Sequence, residues 1–396
     1  MSVQPEARYG IDPYLDWVKK EGLAVAEDYG IDLFEVETSL WPRYGVKSAV
    51  VHIKTRGDFA NMFLFDIPPR GSTLPQQHLY EEVVYVLEGS GSTQFEFADG
   101  RRRSVDWGPR SLFIVPLNAR HRHFNGHARG RALIVSTTNL PLVMNTFLDE
   151  RFIFGCDFEF FERIGKDVYF RGGGDLILVR PGNDMWETNF VPDLASLELR
   201  EHPARGAEGG NINIVFPGSG MHAHVSEIPA GTYKKAHRHR PGFHDVCVVG
   251  KGYTLQWFEG EQEFQRIDWK HGTVFPLPAD RQFHQHFNTG DHPARYVATG
   301  VGSVRYPFTV AQRRSATGLN PGDKGADWTS TKEGGDQIDY DDQDPRIHRL
   351  WLDELGKNKL ESKMEKFFPS PAHAGQLREG APANASAALV GPRPIP

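Results

Sequence analysis

Cysteine is nearly missing from this chain: Cys156 and Cys247 are the only two in 396 residues, and their surroundings are unlike. A disulfide framework is thereby excluded as the organising principle, and a reducing compartment is the simplest setting. Long apolar runs are missing as well, none approaching the ~20 residues that a membrane-crossing helix needs. The opening "MSVQPEARYGIDPYLDW" has no basic stretch leading into an apolar one. No secretory signal is expected, and the sequence reads as cytoplasmic with no membrane partner. Positive charge is not in excess either: 45 Lys+Arg against 51 Asp+Glu leave a formal net charge of -6. Nucleic acid is therefore not an expected partner.

What the sequence does hold is punctuation and strand formers. With 41 glycines, 27 prolines and 12% aromatic residues, it favours short strands over long helices. "VVYVLEGSGSTQFEF" (83–97) reads as a strand, a Gly-Ser-Gly turn and an alternating strand, and "CVVGKGYTLQWF" (247–258) reads the same way. Helical spacing is confined to the flanks, in "DPYLDWVKKEGLAVAEDYG" (12–30) and in "DPRIHRLWLDELGKNKLESKMEKFF" (344–368).

Self-similarity organises the rest. "ARHRHFNG" (119–126) returns as "RQFHQHFNTG" (281–290), so His121, His123, Phe124 and Asn125 are answered by His284, His286, Phe287 and Asn288. "MFLFDIPPRG" (62–71) is matched by "AHVSEIPAGT" (223–232), and "FEVETSLWP" (34–42) is set beside "WETNFVPDL" (186–194). The order is collinear, which indicates duplication of a whole domain. The boundaries expected are an N-terminal arm over 1–44, a first domain over 45–140 and a connection over 141–210. A second domain follows over 211–310, then an acidic loop over 311–343, a helix over 344–368 and a disordered Ala/Pro-rich tail over 369–396.

In a strand, residues two apart share a face, so "AHRHR" sends His237 and His239 to the same side. Two imidazoles in the interior of a small barrel are costly to desolvate unless a partner satisfies them. A divalent metal ion is such a partner, neutral imidazole being a common transition-metal ligand. His284 offers a third imidazole from a strand remote in sequence.

These elements resemble the cupin superfamily, whose motifs run G-x5-H-x-H-x3–4-E-x6-G and P-x-G-x2-H-x3-N. The second repeat supplies Gly231, His237, His239, Gly252, His284 and Asn288, with Asp245 at the glutamate position after His244. The first supplies His78, Glu82, Gly89, Pro116, His121 and Asn125, with Gln76 in place of the first histidine. The resemblance spans roughly residues 45–305. It implies an all-β chain of two tandem double-stranded β-helix (jelly-roll) domains with short flanking helices.

It also implies two candidate metal sites. One is a three-histidine centre of His237, His239 and His284, with His244 or Asp245 as a further ligand. The other joins His78, Glu82 and His121, a 2-His-1-carboxylate set. Within the superfamily the sequence looks most like the gentisate 1,2-dioxygenase and salicylate dioxygenase group. Fe(II) held by His237, His239 and His284 is the expected reacting centre, Mn(II), Ni(II) or Zn(II) being alternative metals, and a hydroxylated aromatic acid and O2 are the expected substrates. His244 and His286 are candidates for moving a proton, Lys235 for meeting a substrate carboxylate, and Phe243 and Trp257 for an apolar wall. His123, in step with His121, is read as packing or as a proton donor behind the metal. Two rivals stand beside this reading, a Mn(II) bicupin like oxalate decarboxylase and a cupin that stores or binds a small ligand without catalysis. Homo-oligomerisation is a further expectation of the resemblance.

Overall fold

Each repeat closes into a barrel from one large and one small sheet, antiparallel except for outer pairs such as Ala24–Asp28 with Val46–Ile53 and Met185–Glu187 with Gly210–Val215. The computed structural model describes residues 10–54, 59–179, 182–238, 243–277, 282–302, 305–308, 325, 328–368 and 389–390. In the first barrel the large sheet runs Ala24–Asp28, Val46–Ile53, Asn61–Ile67, Ala132–Thr138, Glu82–Glu88, Leu112–Val115 and Phe190–Val191. Its small sheet runs Arg120–Asn125, Gly91–Glu96 and Arg102–Trp107. The second barrel repeats this order with Met185–Glu187, Gly210–Val215, Met221–Ile228, Ala294–Val301, Phe243–Val249, Thr273–Leu277 and Ile31–Asp32. Its small sheet is built on Ala236–His237, Phe283–Asn288, Lys251–Trp257 and Phe264–Lys270. The fold is thus all-β, with two tandem jelly-roll barrels.

The outermost strands are exchanged. Ile31–Asp32, from the N-terminal arm, pairs with Thr273–Leu277 of the second barrel, and Phe190–Val191, from the connection, pairs with Leu112–Val115 of the first. The approaches that correspond are therefore 24–32 and 184–192, rather than the 34–42 segment set against 186–194 on sequence.

Both faces of the large sheets are buried. Along Glu82–Glu88, Val84 and Val86 join the apolar interior of the first barrel, whereas Val83, Tyr85 and Leu87 pack between the barrels against Ile212, Ile214, Val246 and Val297. A strand buried on two sides reads as an unbroken apolar run, which is why "VVYVL" lacks polar alternation. Gly91 and Gly252 mark the closest approach of chain to chain. A Cβ there would collide with the carbonyl oxygen of Phe124 or Phe287.

The N-terminal helix, Pro13–Glu21, starts at an Asp12 cap whose carboxylate accepts from Leu15 N and stops at left-handed Gly22. The C-terminal helix is shorter than its pattern: Pro345–Lys357, then a 3-10 turn over Met364–Phe367. Helices are not confined to the flanks, since Leu140–Phe147 and Glu150–Gly155 lie in the connection. Within the tail, Leu389–Val390 pairs with Phe264–Lys270; the rest of it lies outside the described residues. Among the described residues no helix is long and apolar enough to cross a membrane.

Candidate metal centre

Three buried side chains converge in the first barrel. His78 precedes the strand that begins at Glu82, and His121 comes from the facing small sheet. The Nε2 of His78 lies 3.1 Å from Glu82 Oε2, and the Nε2 of His121 lies 3.6 Å from it. One donor atom from each falls within 4.8 Å of the others, the only such cluster of three among the described residues. All three are at most 2% exposed.

Hydrogen bonds fix the tautomers. His78 Nδ1 meets the carbonyl of Tyr80 at 3.0 Å and His121 Nδ1 meets that of Ala119 at 3.0 Å. A carbonyl only accepts, so both Nδ1 atoms carry protons and both Nε2 lone pairs turn toward the carboxylate. The Nε2 of His121 has no hydrogen-bond partner. Two lone pairs and a carboxylate facing one another in a dry interior repel unless a cation lies among them, either a proton shared between His78 Nε2 and Glu82 Oε2 at 3.1 Å or a metal ion. The set fits a divalent metal ion, with His78 Nε2, His121 Nε2 and Glu82 Oε2 as ligands. Ser136 Oγ donates to the other carboxylate oxygen and so orients Glu82. Burial alone would raise the Glu82 carboxyl, but the His78 bond and the fields of His121 and His78 outweigh it and hold it at about 2. Burial pushes His121 down to about 3 against the pull of Glu82. Both are in the ligating form at neutral pH.

The second barrel brings His237 and His284 together, with Nε2 atoms 3.2 Å apart. His237 Nδ1 donates to Lys235 O, so its Nε2 also presents a lone pair. His239 lies outside the described residues. His237 pairs with His284 as Gln76 pairs with His121, so Gln76 is the counterpart of His237. The Gln76 amide nitrogen donates to the carbonyls of Arg43 and Leu74.

Register changes the reading of the glutamate position. Glu82 faces Thr138 across the sheet, and the residue in that place in the second barrel is Phe243, facing Gly300. A Cβ on residue 300 would run into the Phe243 ring, so the large and small residues are complementary. Asp245 lies one inward position further along the strand, where the first barrel has Val84, and so is not the counterpart of Glu82. Fully buried, its carboxyl is held well above the usual range by desolvation, and neither oxygen makes a hydrogen bond.

Other expected residues separate similarly. His286 points inward, its Nδ1 2.8 Å from Thr254 Oγ1, and Phe243 is inside against His222 and His224. His244 instead shares the opposite strand face with Val246 and Val248, in the layer between the barrels, so the expected ligand or proton-shuttle role does not fit its place. Trp257 is not an interior wall; it packs with Phe264 and Phe283 in the outer cluster beneath the C-terminal helix. Lys235 is drawn outward to Asp339 at 2.8 Å, and the buried ammonium is that of Lys234, 3.2 Å from Tyr296 Oη. Burial brings Lys234 down to about 7. The cause is a bulge: five residues from Tyr233 to His237 oppose four from Phe287 to His284, and the alternation slips.

A second duplicated device escaped the sequence reading. Trp107 Nε1 donates to Thr93 Oγ1, which is 2.7 Å from His123 Nδ1; Trp269, Thr254 and His286 repeat the arrangement. The signal was available, because both repeats carry the tryptophan and threonine at matching places. Asn125 and Asn288 act as loop clips, donating to the carbonyls of Ile67 and Gly130 and of Ile228 and His292.

No protein-family model and no curated protein sequence matches the chain. Among solved structures it is similar to oxalate decarboxylase from Lactobacillus farciminis in a formate complex, with 15% identity, a TM-score of 0.47, and coverage of 70% of this chain and 87% of that one. It is also similar to a point mutant of Bacillus subtilis oxalate decarboxylase, at 13% identity and a TM-score of 0.46, covering 76% of this chain and 87% of that one. A third is vicilin from Corylus avellana (hazelnut), at 11% identity and a TM-score of 0.44, covering 69% and 86%. Enzymes and a vicilin stand side by side at this distance, so what this chain does has to be argued from its own ligand set.

Proposed function

We propose that the chain is a metal-dependent oxidoreductase with a complete ligand set in its first barrel, and that it uses Fe(II) and O2 to act on a hydroxylated aromatic acid. The observation that supports this is the buried convergence of His78, His121 and Glu82, with both Nδ1 protons committed to carbonyls. A 2-His-1-carboxylate set leaves coordination positions open and is the ligand pattern of non-haem Fe(II) oxygenases. A bound metal ion would supply Lewis acidity and redox capacity at that point. The chain contributes the rest: Ser136 holds the carboxylate, the two carbonyls hold the rings, and the aromatic surroundings exclude water.

Manganese in an oxalate-type decarboxylase is the second reading, because Glu82 supplies the hard oxygen ligand that suits Mn(II) as well. One experiment separates the two. Protein prepared anaerobically is loaded with Fe(II) or Mn(II) and offered a panel of hydroxybenzoates and oxalate, while O2 uptake and formate are followed. O2 consumption with ring-opened product supports the first reading, and formate release supports the second. Neither reaction with stoichiometric metal bound would sink both, and absence of metal would favour a storage or binding role.

A further inference from the structure

Tyr80 lies flat on the metal-candidate ligand His78, with ring centroids 3.5 Å apart and planes 2° from parallel. Its hydroxyl is 3.0 Å from that of Tyr44, and Tyr44 is stacked on Trp41 at 4.4 Å. Trp17 follows, 6.1 Å from Trp41. All four rings are at most 2% exposed. Phenols and indoles are the readily oxidised side chains of a protein, and here they form a continuous file from a metal ligand to the N-terminal helix.

The far end of the file distinguishes its two indoles. Trp41 Nε1 donates to the half-buried carboxylate of Glu21 at 2.8 Å, whereas Trp17 Nε1 is buried without a hydrogen-bond partner. Glu21 is also paired with Arg43, whose Nε meets the oxygen that accepts from Trp41 at 3.0 Å and whose terminal nitrogen meets the other oxygen at 2.6 Å, so the guanidinium stands at the Trp41 hydrogen bond as well as 5.7 Å over the Trp17 ring. An oxidised indole loses its N–H proton readily, so the ring with an acceptor in place is the one that keeps the hole.

We infer that Trp41 is a one-electron donor that lowers an over-oxidised metal ion at His78, Glu82 and His121 by one unit. Hydrogen peroxide is the oxidant: it takes two electrons from the divalent ion, and two protons, as it goes to water, so the ion stands two units above its resting state before Trp41 gives one electron back. The electron leaves Trp41 and reaches the metal through Tyr44, Tyr80 and His78, lowering the metal by one unit. The Nε1 proton passes to Glu21, which becomes a carboxylic acid, and a neutral indolyl radical remains on Trp41. The phenols act as contact medium and need lose no proton. The file would spare the ligands from oxidation when no substrate is bound.

This inference rests on the proposed metal centre, and the test keeps the two apart. Full-length protein loaded with Fe(II) or Mn(II) is mixed with hydrogen peroxide, freeze-quenched and read by electron paramagnetic resonance, with metal content measured on the same samples. The expected result is an organic radical whose lines narrow in protein grown on ring-deuterated tryptophan, with oxidised Trp41 in peptide maps. Trp41→Phe should lose the radical at unchanged metal content. Tyr80→Phe, which keeps the stacked ring, should delay it. A radical that survives Trp41→Phe, or its absence from metal-loaded wild type, overturns the relay alone. A protein that binds no metal overturns the relay together with the centre it serves.

Discussion

Inside the first barrel Phe63, Phe65, Val50 and Val84 line the wall; the places that correspond in the second barrel by sheet register hold His224, Ser226, Asn213 and Asp245. The backbone devices around these walls are nevertheless shared: the bulge before Gln76 and His237, the close-packed Gly91 and Gly252, the Asn clips and the Trp–Thr–His chains. The duplicated frame therefore constrains hydrogen bonding and leaves the filling free. In the first barrel an aromatic filling isolates one charged cluster. In the second, polar groups are spread over the wall, and much apolar burial moves outside, where Tyr233, Tyr253 and Phe287 pack against Trp351, Leu350 and Leu355 of the C-terminal helix.

The contrast can be broken most sharply through metal content. His121→Ala is expected to abolish the first barrel's metal equivalent, and His284→Ala to leave that equivalent in place, as elemental analysis after dialysis would show. If the two variants lose metal alike, the barrels are not chemically distinct. Next in size is the difference in filling. Phe65→Ala should cost about 3–5 kcal/mol in chemical denaturation, whereas Ser226→Ala at the matching position should cost about 1 kcal/mol for its bond to Asn211.

Acid should then weaken both barrels of the metal-free protein. Burial brings His123 and His222 down to about 4 from 6.5, so between those values the unfolded chain binds more protons and stability falls with falling pH. Each contributes up to about 1.4 kcal/mol per pH unit. His222→Asn, which installs the first barrel's Asn61 in the second, should flatten the urea midpoint's dependence on pH. The smallest expected effect is constructive: Phe243→Glu, opposite Gly300, should slow metal loss from the second barrel during chelator challenge. An unchanged rate would show that the His237–His284 pair does not accept a carboxylate.

The repeats, the strands and the convergence of His78, Glu82 and His121 were legible in the sequence because those three residues sit at the spacing of a shared motif. What was not legible depended on registers that alternation cannot count. "GSG" and "GKG" each offer two glycines, two residues apart; measuring from Gly252 chose Asp245. The left-handed glycine equivalent to Gly89 is Gly250, and it leads to Phe243. The bulge ahead of His237 likewise exchanged Lys235 for Lys234. Trp257 and His244 were misplaced because a strand buried on both faces gives no sign of which face is the interior. The aromatic file joins residues of the helix, the arm and the loop, which no single period connects.

Each barrel borrows its last strand from chain that lies on the far side of its own repeat: Ile31–Asp32 serves the second, and Phe190–Val191 serves the first. Severing the molecule between the repeats would thus leave the C-terminal piece with a bare sheet edge and the N-terminal piece with an idle arm. Co-expressed, such fragments should find each other and reassemble, each acting as the missing border of its mate.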